Sequence, residues 1–275
     1  MTKPYIIFSD LDGTLLDYHT YSFESALPAL NQIQKENIPL ILVSSKTRRE
    51  LSFYQAKLGL TEVPFVVENG SAIYTPIGYF KELRECEISG ENDRYPLGKT
   101  YHEIETILKE ISEKHSYNIR GFHNASREEV EKKTDLSGNE LQMALTREFS
   151  IPLFYDTDAE QILNEEIEQY NLQILYGGRF MHLLSRVDKG QAMSIIMEGY
   201  RERQGREDLK SVAIGDSLND FAMLAAADHA ILVKKHDGSF ERRQTLENVT
   251  YSPGIGPEGW NRSLINVLQI GGSDE

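Results

Sequence analysis

Short apolar runs punctuate both ends of the chain, and each one breaks off into polar residues. Residues 5–8 (YIIF), 38–43 (IPLILV), 64–67 (PFVV), 211–214 (SVAI) and 229–233 (HAILV) are rich in Ile, Leu and Val. Runs of that length and composition predict buried strands. Between them the apolar positions take helical spacing. Residues 22–37 carry Leu27, Leu30, Ile33 and Gln34, with Ser22 or Ser25 placed to cap them. The segment SSKTRRELSFYQAKLG ends at Gly59, and further helices are predicted over 189–203 and 217–227. VTYS (249–252) reads as one more strand. Continuous apolar strands alternating with helices predict parallel βαβ units, with both faces of the sheet covered.

The middle of the chain has a different texture. An amphipathic helix over about 99–114 precedes a strand IPLFYD (151–156) and a helix over 157–169. Two strands at 172–177 and 179–185, separated by Gly177 and Gly178, read as a hairpin. The expected fold class is α/β. A Rossmann-like core with a parallel sheet is built from residues 1–83 and 187–275, and an inserted α+β domain spans 84–186.

Composition narrows the partners. The formal net charge is −14 and 40% of residues are apolar. Such an acidic chain is a poor match for a nucleic-acid backbone or an anionic membrane surface. If its ligand is an anion, positive charge must be concentrated locally, by a few basic residues or a metal. The single cysteine, Cys86, excludes an internal disulfide and fits a reducing compartment. No apolar stretch approaches the roughly 20 residues that span a bilayer, so a soluble, cytoplasmic protein is expected. Oligomeric state is not legible.

Candidate chemistry gathers where the predicted strands end, which is where ligands collect on a doubly wound sheet. The first strand delivers Asp10 and Asp12 in SDLDGTL (9–15). The second delivers Ser44, Ser45 and Lys46, the third Glu68, Asn69 and Gly70, and the strand at 211 delivers Asp216, Asn219 and Asp220. Taken alone, each has a plainer reading. D-G is an ordinary turn dipeptide, Lys189 can be a solvated helix-start residue, and Asp216 to Asp220 can be an N-cap with an acidic first turn. Carboxylates converging from several strand ends, however, form a site suited to a hard cation such as Mg²⁺.

DLDGTL (10–15), Ser44 after a second strand, DKG (188–190) and GDSLND (215–220) together resemble the haloacid dehalogenase superfamily of phosphohydrolases. The resemblance implies roles. Asp10 would be the nucleophile, forming an aspartyl-phosphate, and Asp12 the general acid and base. Ser44 would hydrogen-bond a phosphoryl oxygen, and Lys189 would neutralise the nucleophile–phosphate pair. Asp10, Asp12, Asp216 and Asp220 would serve Mg²⁺.

The position of the insertion is similar to that of the C2B-type cap of Cof-like members. Within that branch the chain looks most like the mannosyl-3-phosphoglycerate phosphatases, through LVSSKTRREL (42–51), VVENGSAI (66–73), GGRFMHLL (177–184), KGQA (189–192) and GPEGW (256–260). This implies a small phosphorylated sugar-acid substrate, carrying mannose or glucose. Ser45, Lys46, Glu68, Asn69, Gly70, Arg179, His182 and Asn219 are the corresponding substrate-binding candidates, with Arg179 suited to a carboxylate. GPEGW is expected to shape a loop offering backbone groups to the ligand, with Trp260 anchoring it. A generic or sucrose- or trehalose-type sugar phosphatase would keep the same core motifs, as would a mutase-like phosphotransferase. A non-catalytic sugar-phosphate-binding protein would be expected to lack Asp10 or Asp12.

Overall fold

The computed structural model describes residues 4–270 apart from 82, 84, 177–179 and 243–245. In chain order the elements are β1 (Tyr5–Ser9), α1 (Leu27–Glu36), β2 (Leu40–Val43), α2 (Arg48–Leu58), β3 (Phe65–Val67), β4 (Ala72–Pro76), β5 (Glu87–Ser89), β6 (Asn92–Pro96) and α3 (Tyr101–His115). They continue with α4 (Arg127–Thr134), α5 (Gly138–Ala144), β7 (Ser150–Leu153), α6 (Thr157–Glu166), β8 (Leu172–Tyr176), β9 (Met181–Ser185) and α7 (Lys189–Gln204). The last are β10 (Lys210–Gly215), α8 (Phe221–Ala226), β11 (His229–Lys234), β12 (Val249–Ile255) and α9 (Gly256–Ile270).

One sheet runs in the order β12-β11-β10-β1-β2-β3-β4-β6-β5. From β12 to β3 every pairing is parallel, while β4, β6 and β5 add on antiparallel. Alternation along each strand supplies both faces. Ile7, Leu40 and Leu42 join the core under α1, α2 and α9, whereas Ile6, Phe8, Ile41 and Val43 face α7 and α8. The second sheet is antiparallel, β7-β9-β8, and packs one face on α3 and α6. No helix among the described residues is long and apolar enough to cross a membrane.

Several expectations shift locally. The helix expected from residue 22 begins at Leu27, after a single 3-10 turn at Glu24–Ala26. Ser22 Oγ accepts from Glu24 N at 3.2 Å at the start of that turn, and α1 itself has no side-chain cap. Pro28 occupies the first turn of α1, where its missing N–H costs nothing. By contrast α2 has a full capping box, Thr47 with Glu50, and ends on Gly59 at φ +68°. The main sheet extends to residue 96 through β5 and β6, past the expected junction at 83. These short, partly polar strands lack the apolar runs that mark central strands. GPEGW is the first turn of α9 and not a loop. Trp260 is fully buried there, its Nε1 donating to Ser9 Oγ at 2.9 Å. The hairpin of β8 and β9 is present, but its connecting Gly177, Gly178 and Arg179 lie outside the described residues.

Candidate active site

Strand order reverses at β1, which has β10 on one side and β2 on the other. The crevice at this switch point receives the carboxyl ends of β1, β2, β3 and β10. Asp10 follows β1, its N–H donating to Ile214 O of β10 at 2.9 Å. Gly13 turns the chain at φ +77°, and Thr14 comes back across to donate to Asp216 Oδ1 at 3.1 Å. The two motifs, 202 residues apart in sequence, are thereby tied together.

Asp10, Asp216 and Asp220 are all buried, and each offers a carboxylate oxygen within 4.8 Å of the others. Lys189, fully buried at the start of α7, bridges two of them, with Nζ 2.6 Å from both Asp10 Oδ1 and Asp220 Oδ1. Asp220 is otherwise engaged with backbone. Its Oδ2 accepts from Asp216 N at 3.0 Å and Ser217 N at 2.9 Å. Gly215 leaves it room, since a Cβ there would lie 2.4 Å from the Asp220 side chain. Asp220 therefore orients Lys189 and the Asp216 turn.

Charge is unbalanced in this crevice. Burial pulls the Lys189 ammonium down, but the carboxylates of Asp10 and Asp220 outweigh it and hold Lys189 charged. Burial drives the Asp10 carboxyl well above its usual range; Lys189 opposes that shift, while Asp220 and Asp216 reinforce it. Burial and then the Asp220 charge push Asp216 up to about 7. Three buried carboxylates facing one lysine fit a bound cation, which would supply the missing positive charge.

Asp12 sits at the edge of the mouth. Its Oδ2 pairs with Lys46 Nζ at 2.9 Å, and its Oδ1 is buried without a hydrogen-bond partner. Lys46 is also 3.8 Å from Glu50 and lies over the rings of Tyr21 and Tyr54. Ser44, buried beside it, accepts from Lys46 N at 3.3 Å, which leaves its O–H to donate.

The expected substrate-binding residues divide. Glu68 does not face an open mouth. Its fully buried carboxylate accepts from Glu148 N (2.8 Å), Phe149 N (3.2 Å) and Ser150 Oγ (2.6 Å), with Arg147 at 3.5 Å. It fastens the segment leading into β7 onto the main sheet, and four donors leave it nothing for sugar hydroxyls. Burial raises its pKa, partly offset by Arg147. Gly70 has a different partner from the one expected. At φ +96° its missing Cβ would lie 2.2 Å from Asp188 O, so the close approach it permits is that of the backbone before Lys189. Asn69, at φ +63°, accepts from Asn219 Nδ2 at 2.9 Å, so these two candidates hold each other across β3 and β10. Ser45 presents its carbonyl to Arg147. His182 lies on β9 with Nδ1 buried and unpartnered. Arg179 is outside the described residues. Arg147 itself was not anticipated. It stands in TREFS, before a strand, and nothing local distinguishes it from a surface arginine.

The profile of the haloacid dehalogenase-like hydrolases matches residues 7–239, and the chain belongs to that family. It is 37% identical over 267 residues to a glucosyl-3-phosphoglycerate/mannosyl-3-phosphoglycerate phosphatase of Methanococcoides burtonii, covering 96% of this chain and 97% of the relative. A protein of the same name from Persephonella marina is 36% identical, covering 96% and 97%. A crystal structure from Thermoplasma acidophilum superimposes with a TM-score of 0.67 over 95% of this chain and 97% of that one. At 18% identity, that likeness speaks for the fold alone.

Proposed function

We propose that this hydrolase of phosphoric monoesters removes the phosphate of glucosyl- or mannosyl-3-phosphoglycerate, leaving the glycosylglycerate. The observation that carries the substrate class is the pair of relatives of that name, 36–37% identical across 96% of the chain. The chemistry is supported by the buried Asp10–Lys189–Asp220 array at the switch point.

Asp10 attacks phosphorus in line through a carboxylate oxygen. The P–O ester bond breaks as the aspartyl-phosphate forms, and the leaving oxygen takes a proton from Asp12. Water then attacks the phosphorus, and Asp12 accepts its proton. The Asp10–phosphorus bond breaks, freeing inorganic phosphate. Lys189, already 2.6 Å from Asp10, keeps the nucleophile oriented and offsets the charge that builds on the phosphoryl oxygens. Ser44 donates its O–H to one of those oxygens. Mg²⁺, held by Asp10, Asp216 and the Asp12 backbone carbonyl, would supply electrostatic stabilisation of the phosphoryl group when bound. The segment between β6 and α7 serves as the cap that selects the leaving group, and Glu68 fastens it to the core.

Phosphate release is measured over a panel of phosphorylated metabolites with no acceptor present. Turnover of the two glycosyl-3-phosphoglycerates, lost in Asp10→Asn, is expected. Strict dependence on a second sugar phosphate would point to phosphotransfer instead. Asp12→Asn is expected to lose more activity on these alkyl esters than on p-nitrophenyl phosphate, whose leaving group needs no proton.

A further inference from the structure

The sheet β7-β9-β8 has two faces. Ile151, Leu153, Met181 and Leu183 pack on α3 and α6. Successive residues alternate, so Ser150, Pro152 and His182 lie on the other face, with Pro152 opposite His182 in register. That face is turned to the main sheet, because Ser150 Oγ meets Glu68 there.

Arg147 enters the same space. Its Nη1 and Nη2 both donate to Ser45 O at 3.2 Å, and Nη1 also reaches Ser150 Oγ at 3.1 Å. These contacts engage the head-on edge of the guanidinium. The side edge, Nε with the second N–H of Nη2, is a two-donor edge of the kind that matches a carboxylate. Nε on that edge is buried without an acceptor, and Nδ1 of His182 is buried without a hydrogen-bond partner. Burial, and then the charge of Arg147, lower the imidazole pKa to about 3, so His182 is neutral and can present an N–H. Buried donors left without acceptors are costly, and natural structures keep few of them without a reason.

Ser45 adjoins Ser44, which places this guanidinium next to the phosphoryl end of the site. In a 3-phosphoglycerate, two carbons separate the phosphoester oxygen from the carboxylate carbon, so one mouth can serve both anions. We propose that Arg147 and His182 form the subsite for the carboxylate of a phosphoglycerate-type substrate, Arg147 through its free two-donor edge and His182 through Nδ1–H. The inference deepens the function proposed above and rests on its glycerate assignment. Neither nitrogen is open to water, so the sheet face must part from the core to admit the substrate.

The test uses 3-phosphoglycerate and glycerol 3-phosphate, which differ by a carboxylate, as competitors of p-nitrophenyl phosphate hydrolysis by the Mg²⁺-loaded enzyme. The wild-type inhibition constant for 3-phosphoglycerate is expected to be at least ~30-fold lower than that for glycerol 3-phosphate. Arg147→Lys, which keeps the charge but loses the fork, and His182→Phe should each shrink that ratio by about tenfold or more. No discrimination in the wild type, or an unchanged ratio in the folded variants, overturns the subsite. An equal rise of both constants in Arg147→Lys means the arginine only fastens the two parts of the fold together. If Arg147→Lys fails to fold, His182→Phe decides, since His182 makes no hydrogen bond to the core through Nδ1. Wild-type discrimination without turnover of the glycosyl-3-phosphoglycerates would defeat the proposed function and leave the subsite standing. Turnover with an unchanged ratio in the variants would do the reverse.

Discussion

Replacing Gly70 by alanine removes nothing from the site, yet it should disable it. A Cβ on Gly70 would lie 2.2 Å from Asp188 O, 2.4 Å from Asp188 C and 2.9 Å from Lys189 N. All three are backbone atoms at the start of α7, so no rotamer change relieves the overlap. The backbone at φ +96° adds strain of about 1–3 kcal/mol for a residue with a side chain. Pushing the chains apart adds roughly 1–3 kcal/mol more. The expected loss of stability is therefore about 2–6 kcal/mol. Whatever relaxation rescues the fold must move Asp188 and Lys189 outward, and Lys189 Nζ holds Asp10 and Asp220 at 2.6 Å each. A displacement of about 1 Å at such a contact can cost roughly a hundredfold in rate. Urea unfolding and kcat for phosphate release, measured on the same preparation, check both effects. If Gly70→Ala keeps wild-type stability and kcat, the packing of the Glu68–Gly70 turn against α7 does not position Lys189. A raised KM with kcat unchanged would instead return Gly70 to the substrate side of the mouth.

The remaining expectations concern the crevice and its fastening. With no metal bound, Asp216 takes up its proton near pH 7, against 3.8 ordinarily. The folded state therefore binds more protons than the unfolded one across that window. This contribution to metal-free stability is complete below about 3.8 and is lost as the pH rises through about 7. Mg²⁺ replaces the proton, so its addition should raise the melting temperature more at pH 8 than at pH 5, and EDTA should abolish both the gain and the turnover. Equal Mg²⁺ shifts at the two pH values would contradict this account. Glu68→Gln removes the charge that faces Arg147 and, in either amide orientation, sets an NH₂ against at least one backbone N–H, and should cost about 1–3 kcal/mol in urea unfolding. Unchanged stability with a raised KM would mean that Glu68 serves the substrate after all.

What could be read along the chain was whatever depends on neighbours a few residues away. YIIF, IPLILV and HAILV announce central strands because a strand covered on both faces has no polar position to hide. DLDGTL and GDSLND are legible because a carboxylate directly after such a strand is either costly or neutralised. The Gly59 stop of α2 is likewise local. Strands β5 and β6 were not legible, since EIS and NDRYP carry too few apolar residues to show a period. Nor could GPEGW be recognised as a helix start, because Gly256 and Pro257 read equally well as a turn. Tertiary structure alone decided which polar side chain meets which. Glu68 and Gly70 looked like ligand contacts, but they serve the segment entering β7 and the backbone of Asp188. Arg147, in a segment without any motif, arrives at Ser45 from 102 residues away. Periodicity is set by local backbone geometry and survives in the sequence. The partner of a buried charge is set by how distant segments pack, and that leaves no trace within the few residues around it.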